Sequence, residues 1–205
     1  MKIGIFGASK ALFKSRKSYY HYTERVNDTL PDHQINWYGI QCCSVERLAY
    51  NISNHPSFDL YMVFHTRADN VYCPGWNIDV PAAVLFKATK TEKGLEVLHK
   101  HHQRGNIPEI DLNAIRYFKD IYYDSKRELN YLSNLFLIKS LLVNKKVIHV
   151  SCYGGIETQI FKNDYFAGEL QTLISSLEYN YDTPNWDHEL ISKLFVEEIQ
   201  TALVS

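Results

Sequence analysis

Apolar residues along the chain occur in two patterns: short continuous runs, and longer runs in which they recur every three or four positions. The short runs predict strands at Lys2–Phe6, Gln34–Tyr38, Phe58–Phe64 and Lys146–Ser151. The third run, FDLYMVF, is apolar almost throughout, which is typical of a strand covered on both faces. The pattern therefore predicts a sheet buried between helices.

The longer runs predict the helices that cover this sheet. They span residues 17–30, 44–54, 91–102, 111–144 and 186–203. Ser44 is a suitable N-cap for the second helix, and the fourth is expected to divide near Asp124. Residues 69–88 are predicted to be irregular, and residues 169–177 to form a short strand or helix.

Each of three helices is expected to turn one apolar face toward the core. The predicted core positions are Val45, Leu48, Ala49 and Ile52; then Leu129, Leu132, Phe136 and Leu137; and in the last helix Leu190, Leu194, Ile199 and Leu203.

Strands that alternate with helices predict a parallel sheet with right-handed crossovers. The helical stretch between the third and fourth strands is interpreted as an insertion. A chain of 205 residues suits one domain, so residues 1–205 are predicted to form a single α/β domain. Ligands bind at the carboxyl ends of such strands, here at Gly7–Ser9, Gly39–Ser44, His65–Asn70 and Cys152–Gly155.

Composition narrows the classes of partner. The chain is 45% hydrophobic and 22% charged, as in ordinary globular proteins, and its formal net charge is -1. A net charge this close to zero gives no indication that the protein binds nucleic acid or an anionic membrane. No apolar run reaches the length of a membrane span or of a signal peptide, so a cytoplasmic protein is expected.

The cysteines do not predict a metal site or a disulfide framework. Cys42, Cys43, Cys73 and Cys152 form no CxxC pair. Buried thiols in a reducing compartment are the expected state. No cofactor or metal is predicted.

The turn after the first strand, Gly7-Ala8-Ser9, is the first candidate site. It lacks the third glycine of a dinucleotide fingerprint, and the second strand ends at Gly39 with no acidic residue for a ribose. It is neither a Walker loop nor the GxSxG nucleophile elbow of α/β-hydrolases. Nucleotide binding remains an alternative hypothesis for this turn.

The tail before the last helix is the second candidate site, because it combines His188 with Asp182 and Asp187. A serine hydroxyl is a weak nucleophile, so it needs an imidazole to take its proton and a carboxylate to orient that imidazole. Ser9 and His188 could supply the first two groups. The alternative is that His188 only starts a helix and that one of the two aspartates caps it.

Ser9 after the first strand and His188 near the end of the chain together resemble the SGNH/GDSL hydrolase family. The resemblance follows the order of elements along nearly the whole chain. It implies a three-layer, flavodoxin-like fold and hydrolysis of an acyl or acetyl ester, on a small molecule or a glycan, by acyl transfer. KVIHVSCY resembles the penultimate strand of small versions of the family that tailed phages encode.

The resemblance also implies roles for individual residues. Ser9 is the nucleophile and His188 the general base, oriented by Asp187 or Asp182. The backbone N–H groups of Ser9 and Gly39 form an oxyanion hole. Asn70 or Arg67 is the candidate for its third donor.

The motifs depart from the family pattern in three places. Ala8 replaces the aspartate of Gly-Asp-Ser, and His65, Thr66 and Arg67 stand where the family has Gly-x-Asn-Asp. The tail reads Asn-x-x-His instead of Asp-x-x-His. A rival hypothesis is therefore a degenerate hydrolase fold kept as a structural or glycan-binding protein.

Overall fold

The computed structural model describes residues 1–7, 22–39, 43–66, 70–73, 78–81, 96, 124–151, 155–178 and 188–204. Within these ranges, residues 22, 70–73, 78–81, 124, 125, 127, 174–178 and 188 are described by their backbone alone. The helix predicted at residues 91–102 lies outside this part of the chain, apart from residue 96.

A parallel sheet forms the centre of the molecule. In chain order, the described strands are β1 (Lys2–Gly7), β2 (Gln34–Gly39), β3 (Leu60–His65), β4 (Asn70–Cys73), β5 (Ile78–Pro81), β6 (Lys146–Ser151) and β7 (Tyr165–Phe166). Five of them lie side by side in the order β2-β1-β3-β6-β7, and every neighbouring pair is parallel. This is the 2-1-3-4-5 order of flavodoxin-like folds, so the predicted fold class is confirmed.

The prediction of an irregular segment at residues 69–88 is wrong in part. β4 and β5 pair there as an antiparallel ribbon, with Asn70 opposite Pro81 and Cys73 opposite Ile78. The ribbon belongs to the insertion between β3 and β6. Its strands have four residues each, too few to show a clear alternation of apolar and polar positions.

Helices cover both faces of the sheet. The described helices are α1 (Tyr22–Thr29), α2 (Val45–Asn54), α3 (Asp124–Leu141), α4 (Ile156–Ile160), α5 (Gly168–Glu178) and α6 (His188–Val204). Ser44 caps α2 as predicted, since its side chain accepts a hydrogen bond from the Arg47 backbone N–H. α3 begins at Asp124, where the predicted helix is expected to divide, and residues 111–123 lie outside the described part of the chain.

Alternate residues of β3 enter two separate cores, and all six strand residues are buried. Leu60, Met62 and Phe64 pack with residues of α1, α5 and α6. Tyr61 and Val63 pack on the other face, with residues of α2 and α3. Burying one large apolar side chain contributes about 1.5–3 kcal/mol, so this double cover explains the continuous apolar run of the strand.

The face of α3 that enters the core differs from the predicted one. Leu129, Phe136 and Leu137 are exposed, whereas the buried residues are Tyr131, Leu135, Ile138 and Leu142. The buried set is spaced four, three and four residues apart and packs against α2 and β3. Apolar residues occur all round this helix, so their spacing alone does not select a face.

The last helix is close to its prediction. Its described part begins at His188, since residues 186 and 187 lie outside the described part of the chain, and Leu194 and Ile199 are buried as predicted. Leu190 is exposed, and Ile191 and Phe195 take the core positions instead.

Leu135 and Leu137 of α3 provide a matched test of the buried face. Leu135→Ala is expected to lower the free energy of unfolding by about 2–5 kcal/mol, because it leaves a cavity in the core. Leu137→Ala is expected to change it by less than about 1 kcal/mol, because that side chain is exposed. Urea denaturation of both variants measures the difference. Equal losses would contradict the orientation of α3.

Candidate functional site

The carboxyl ends of the central strands meet at one edge of the sheet. Gly7 at the end of β1 lies opposite Gly39 at the end of β2. His65 at the end of β3 lies opposite Ser151 at the end of β6. Because open α/β sheets bind ligands outside this edge, these four residues mark the candidate site.

Gly7 has a backbone conformation that other residues rarely adopt. Its φ is +148°, and a Cβ at this position would lie 2.5 Å from Phe64 Cβ and 2.7 Å from the Phe64 carbonyl oxygen. The chain therefore leaves β1 in close contact with the backbone of β3. Only glycine satisfies both the dihedral angle and the lack of space.

Gly7→Ala is expected to lower the free energy of unfolding by about 2–4 kcal/mol, because it combines backbone strain with overlap against Phe64. Gly168→Ala is the control, since a Cβ there meets no atom within 4 Å. That change is expected to be neutral or to stabilise by up to about 1 kcal/mol. Chemical denaturation compares the two, and a Gly7→Ala protein as stable as the control would rule out the tight contact.

Most of the residues predicted to form the site lie outside the described part of the chain. Ser9, Arg67, Asp182 and Asp187 are in that group, as are Ala8 and the cysteines at 42 and 152. Asn70 starts β4 and His188 starts α6, but only their backbones are described. The geometry of the proposed triad is thus a prediction from the sequence.

Gly39 is the predicted oxyanion residue that the structure describes. It ends β2 and pairs in register with Gly7, so its backbone lies beside the point where the chain leaves β1. Two glycines side by side leave this part of the edge without side chains. Neither residue places a side chain at this point, and the space beside Gly7 is filled by Phe64.

The first turn of α6 contacts α1. Glu189 Oε2 lies 3.6 Å from Arg25 Nη1, with 85% and 40% of the two side chains exposed. Such an exposed pair contributes little stability, and it records that the first turn of α6 lies near α1. His188 immediately precedes Glu189, and α1 is the helix that follows β1 in the chain.

A buried pair formed by His65 at the end of β3 and His149 within β6 was not predicted from the sequence. His65 Nε2 lies 2.9 Å from His149 Nδ1, and both side chains are about 1% exposed. The rings are nearly parallel, and Phe161 packs against both. The pair joins two strands whose sequence positions are 84 residues apart.

Both imidazoles are neutral near pH 7. Burial lowers the pKa of His65 well below its usual value, and His149 lowers it further. Burial, followed by the charge of Lys139, lowers the pKa of His149 to about 3. Asp164 Oδ2 lies 3.6 Å from His149 Nε2, a geometry that would be an ion pair only if His149 were charged.

This neutrality makes stability depend on pH. In the unfolded chain each histidine binds a proton as the pH falls below about 6.5, whereas in the folded chain it stays neutral. The free energy of unfolding is therefore highest above pH 6.5 and decreases as the pH falls toward the folded pKa. For His149 alone, whose folded pKa is about 3, the expected loss between pH 7 and pH 5 is about 2 kcal/mol.

His149→Gln keeps an acceptor for His65 but does not titrate. Its free energy of unfolding is therefore expected to fall less than that of the wild type between pH 7 and pH 5, by about 2 kcal/mol. Urea denaturation at the two pH values measures this. Identical losses in both proteins would show that His149 does not carry the effect.

Three buried polar atoms at this edge find no hydrogen-bond partner within the described structure. They are His65 Nδ1, Thr66 Oγ1 and Ser151 Oγ, all on residues about 1% exposed. An unsatisfied buried polar group costs about 1–3 kcal/mol, so such atoms concentrate where a ligand or water completes them. The backbone N–H of Ser151 is satisfied, since it donates to Gln171 Oε1 at 3.0 Å.

Tyr131 anchors the end of β3. Its hydroxyl donates to the Thr66 carbonyl oxygen at 2.9 Å and also contacts Glu157 Oε1. Burial and the neighbouring Glu157 raise the pKa of Tyr131 well above its usual value, so the hydroxyl stays protonated. α3 therefore contacts the Thr66 backbone through Tyr131, and α4 contacts the same tyrosine hydroxyl through Glu157.

A cleft of about 380 Å³ opens on the far side of the histidine pair. His149 and Asp164 line it, together with Lys139, Asn144 and Tyr165.

Neither a metal-binding cluster nor a membrane-spanning helix occurs in the part of the chain described above. No group of three or more His, Cys, Asp or Glu side chains lies close enough there to hold a metal ion. None of the helices in these ranges is long and apolar enough to cross a bilayer. Cys43 is a buried thiol whose sulfur contacts the Ser44 carbonyl oxygen.

No protein-family model matches the sequence. No curated protein matches it either. Solved structures that resemble the chain include a catalytic mutant of an acetylxylan esterase from Geobacillus stearothermophilus. The two are 12% identical, with 97% of this chain and 93% of that chain covered and a TM-score of 0.49.

Two further structures give similar values. An α/β hydrolase enzyme from the metagenome of Lake Arreo is 10% identical, with 98% and 94% of the chains covered and a TM-score of 0.49. A member of the lipolytic G-D-S-L family from Veillonella parvula is 11% identical, with 99% and 98% covered and a TM-score of 0.42. The fold assignment itself rests on the strand order, which agrees with the fold implied by the resemblance to SGNH/GDSL hydrolases.

Proposed function

We propose that this protein is a serine ester hydrolase of the SGNH/GDSL type, which cleaves an acyl or acetyl ester by acyl transfer. The observation that carries the proposal is the pair Gly7 and Gly39 at the carboxyl edge of a flavodoxin-like sheet. Ser9 follows Gly7 by two residues, so chain connectivity keeps it near this edge. A serine beside backbone N–H donors is the arrangement that acyl transfer requires.

In the proposed reaction, Ser9 attacks the ester carbonyl while His188 takes the hydroxyl proton. The alcohol then leaves with that proton, and the acyl group remains on Ser9. Water hydrolyses the acyl-serine in a second step, again with His188 as the base. Asp187 or Asp182 would orient the imidazole.

The developing oxyanion needs donors that are already in place. The Ser9 and Gly39 N–H groups are the proposed donors, and one such donor is typically worth 100- to 1000-fold in rate. The side chain of His65 is not proposed as one of these donors. Asn70 or Arg67 is the proposed third donor.

The position of α6 supports His188 as the base. Its first turn lies against α1 through Glu189 and Arg25. Because α1 follows the segment that contains Ser9 in the sequence, the start of α6 lies next to the helix that succeeds the proposed nucleophile. An ester carried by a glycan is the proposed substrate class.

Ser9→Ala is expected to reduce hydrolysis of p-nitrophenyl acetate at least 1000-fold, because no other hydroxyl would replace the nucleophile. Ser53→Ala is the control, since that serine is exposed near the end of α2 and bonds only its own helix in the described structure. Initial rates of the purified proteins provide the measurement. Equal rates for wild type and Ser9→Ala would refute the proposal and favour the degenerate, non-catalytic alternative.

The same assay identifies which residues of the tail before α6 take part in catalysis. His188→Asn should lower kcat about as far as Ser9→Ala, since residues of one triad act as a unit. Of Asp182→Asn and Asp187→Asn, the variant with the larger loss identifies the orienting carboxylate. Saturable binding of NAD to a protein without esterase activity would instead support the nucleotide-binding alternative.

A further inference from the structure

We propose that His65 Nδ1 binds a neutral hydroxyl group as a hydrogen-bond acceptor at the carboxyl edge of the sheet, and that His149 and Asp164 are positioning residues that keep it an acceptor. The ligand class is an alcohol or a carbohydrate hydroxyl. The proposal does not depend on the role of Ser9 and would hold for a non-catalytic protein of this fold.

The number of ring hydrogens on the two histidines determines which nitrogen of His65 is a hydrogen-bond acceptor. Each neutral imidazole carries a single N–H, and the link between His65 Nε2 and His149 Nδ1 uses one of them. The carboxylate of Asp164 faces His149 Nε2 at 3.6 Å, which favours the hydrogen on that nitrogen. His149 Nδ1 then accepts, so His65 donates from Nε2 and keeps a lone pair on Nδ1.

The opposite assignment is unfavourable. It would place a hydrogen on His65 Nδ1 and a lone pair on His149 Nε2, directed at the negative charge of Asp164. It would also leave a buried N–H donor without an acceptor among the described residues. Both effects select the tautomer in which His65 Nδ1 accepts.

The surroundings of His65 Nδ1 suit a hydroxyl ligand. The two ring nitrogens point in widely different directions, so Nδ1 faces away from His149. Ser151 lies opposite His65 in the β3–β6 ladder, and Thr66 follows His65; the side-chain hydroxyls of both are unpartnered in the described structure. His65 Nδ1 can accept from a ligand hydroxyl, and the rotatable hydroxyl of Ser151, its neighbour across the ladder, can donate to that ligand.

The charged side chains near His65 already have hydrogen-bond partners of their own. Glu157 is held by Tyr131, and Lys139 donates to the Ile160 carbonyl oxygen. Asp164 faces His149, not His65. A charged ligand at His65 would therefore be buried without a counter-charge from these groups, which favours a neutral one.

The first test reads the tautomers directly, by long-range ¹H–¹⁵N correlation of histidine rings in the full-length protein. His65→Gln and His149→Gln assign the resonances by their loss. The expected spectrum at pH 7 shows His65 protonated at Nε2 and unprotonated at Nδ1, with His149 protonated at Nε2. A hydrogen on His65 Nδ1 would overturn the proposal.

The second test titrates the same protein with glycerol and with methanol, each to about 100 mM, where a millimolar site saturates. A saturable upfield shift of the His65 Nδ1 resonance is expected with at least one probe. The Ser9→Ala protein should respond equally, which separates this site from the proposed hydrolase. No saturable shift with either probe would overturn the hydroxyl site.

Matched aspartate variants test the positioning role. Asp164→Asn is expected to weaken glycerol or methanol binding at least threefold and to populate the second tautomer of His65. Asp32→Asn, an exposed aspartate before β2, should leave both readouts unchanged. Equal behaviour of the two variants would remove Asp164 from the proposal.

Discussion

The burial of a parallel sheet on both faces is the constraint from which the rest of the structure follows. β1 and β3 have apolar side chains on each face, so each needs helices on both sides. Parallel pairing then requires every connection to return across the sheet, which brings the carboxyl ends together at one edge. The polar residues of the molecule's candidate site lie where this apolar sheet stops.

The strands were predictable because their apolar runs are continuous and local. Ser44 was predictable for a similar reason, since an N-cap acts on a backbone N–H only three residues away. The buried face of α3 was not, because its sequence is apolar on several sides and only the docked position of α2 decides between Leu135 and Leu137. The β4–β5 ribbon likewise depends on a partner strand and not on its own composition.

The candidate site likewise has one part that the sequence predicts and another that it does not. Gly7 and Gly39 follow strands in the sequence, so their place at the edge could be predicted from chain order. The bond between His65 and His149 could not, because it depends on the register of two strands that are distant in the chain. One signal was available: His149 interrupts an apolar strand, which indicates a buried and therefore partnered imidazole.

The separation of β3 from β6 along the chain also has a kinetic consequence. β1, β2 and β3 are joined by short connections, whereas β6 pairs with β3 only after the chain between them has closed a loop, so the His65–His149 contact spans 84 residues. Contacts of such long range form late, because the chain loses the entropy of closing the loop before strand pairing contributes any favourable free energy. We therefore expect the amino-terminal strands to assemble first. The polar edge at β3 and β6 would then be among the last parts of the molecule to form, and its assembly would mark the completion of folding.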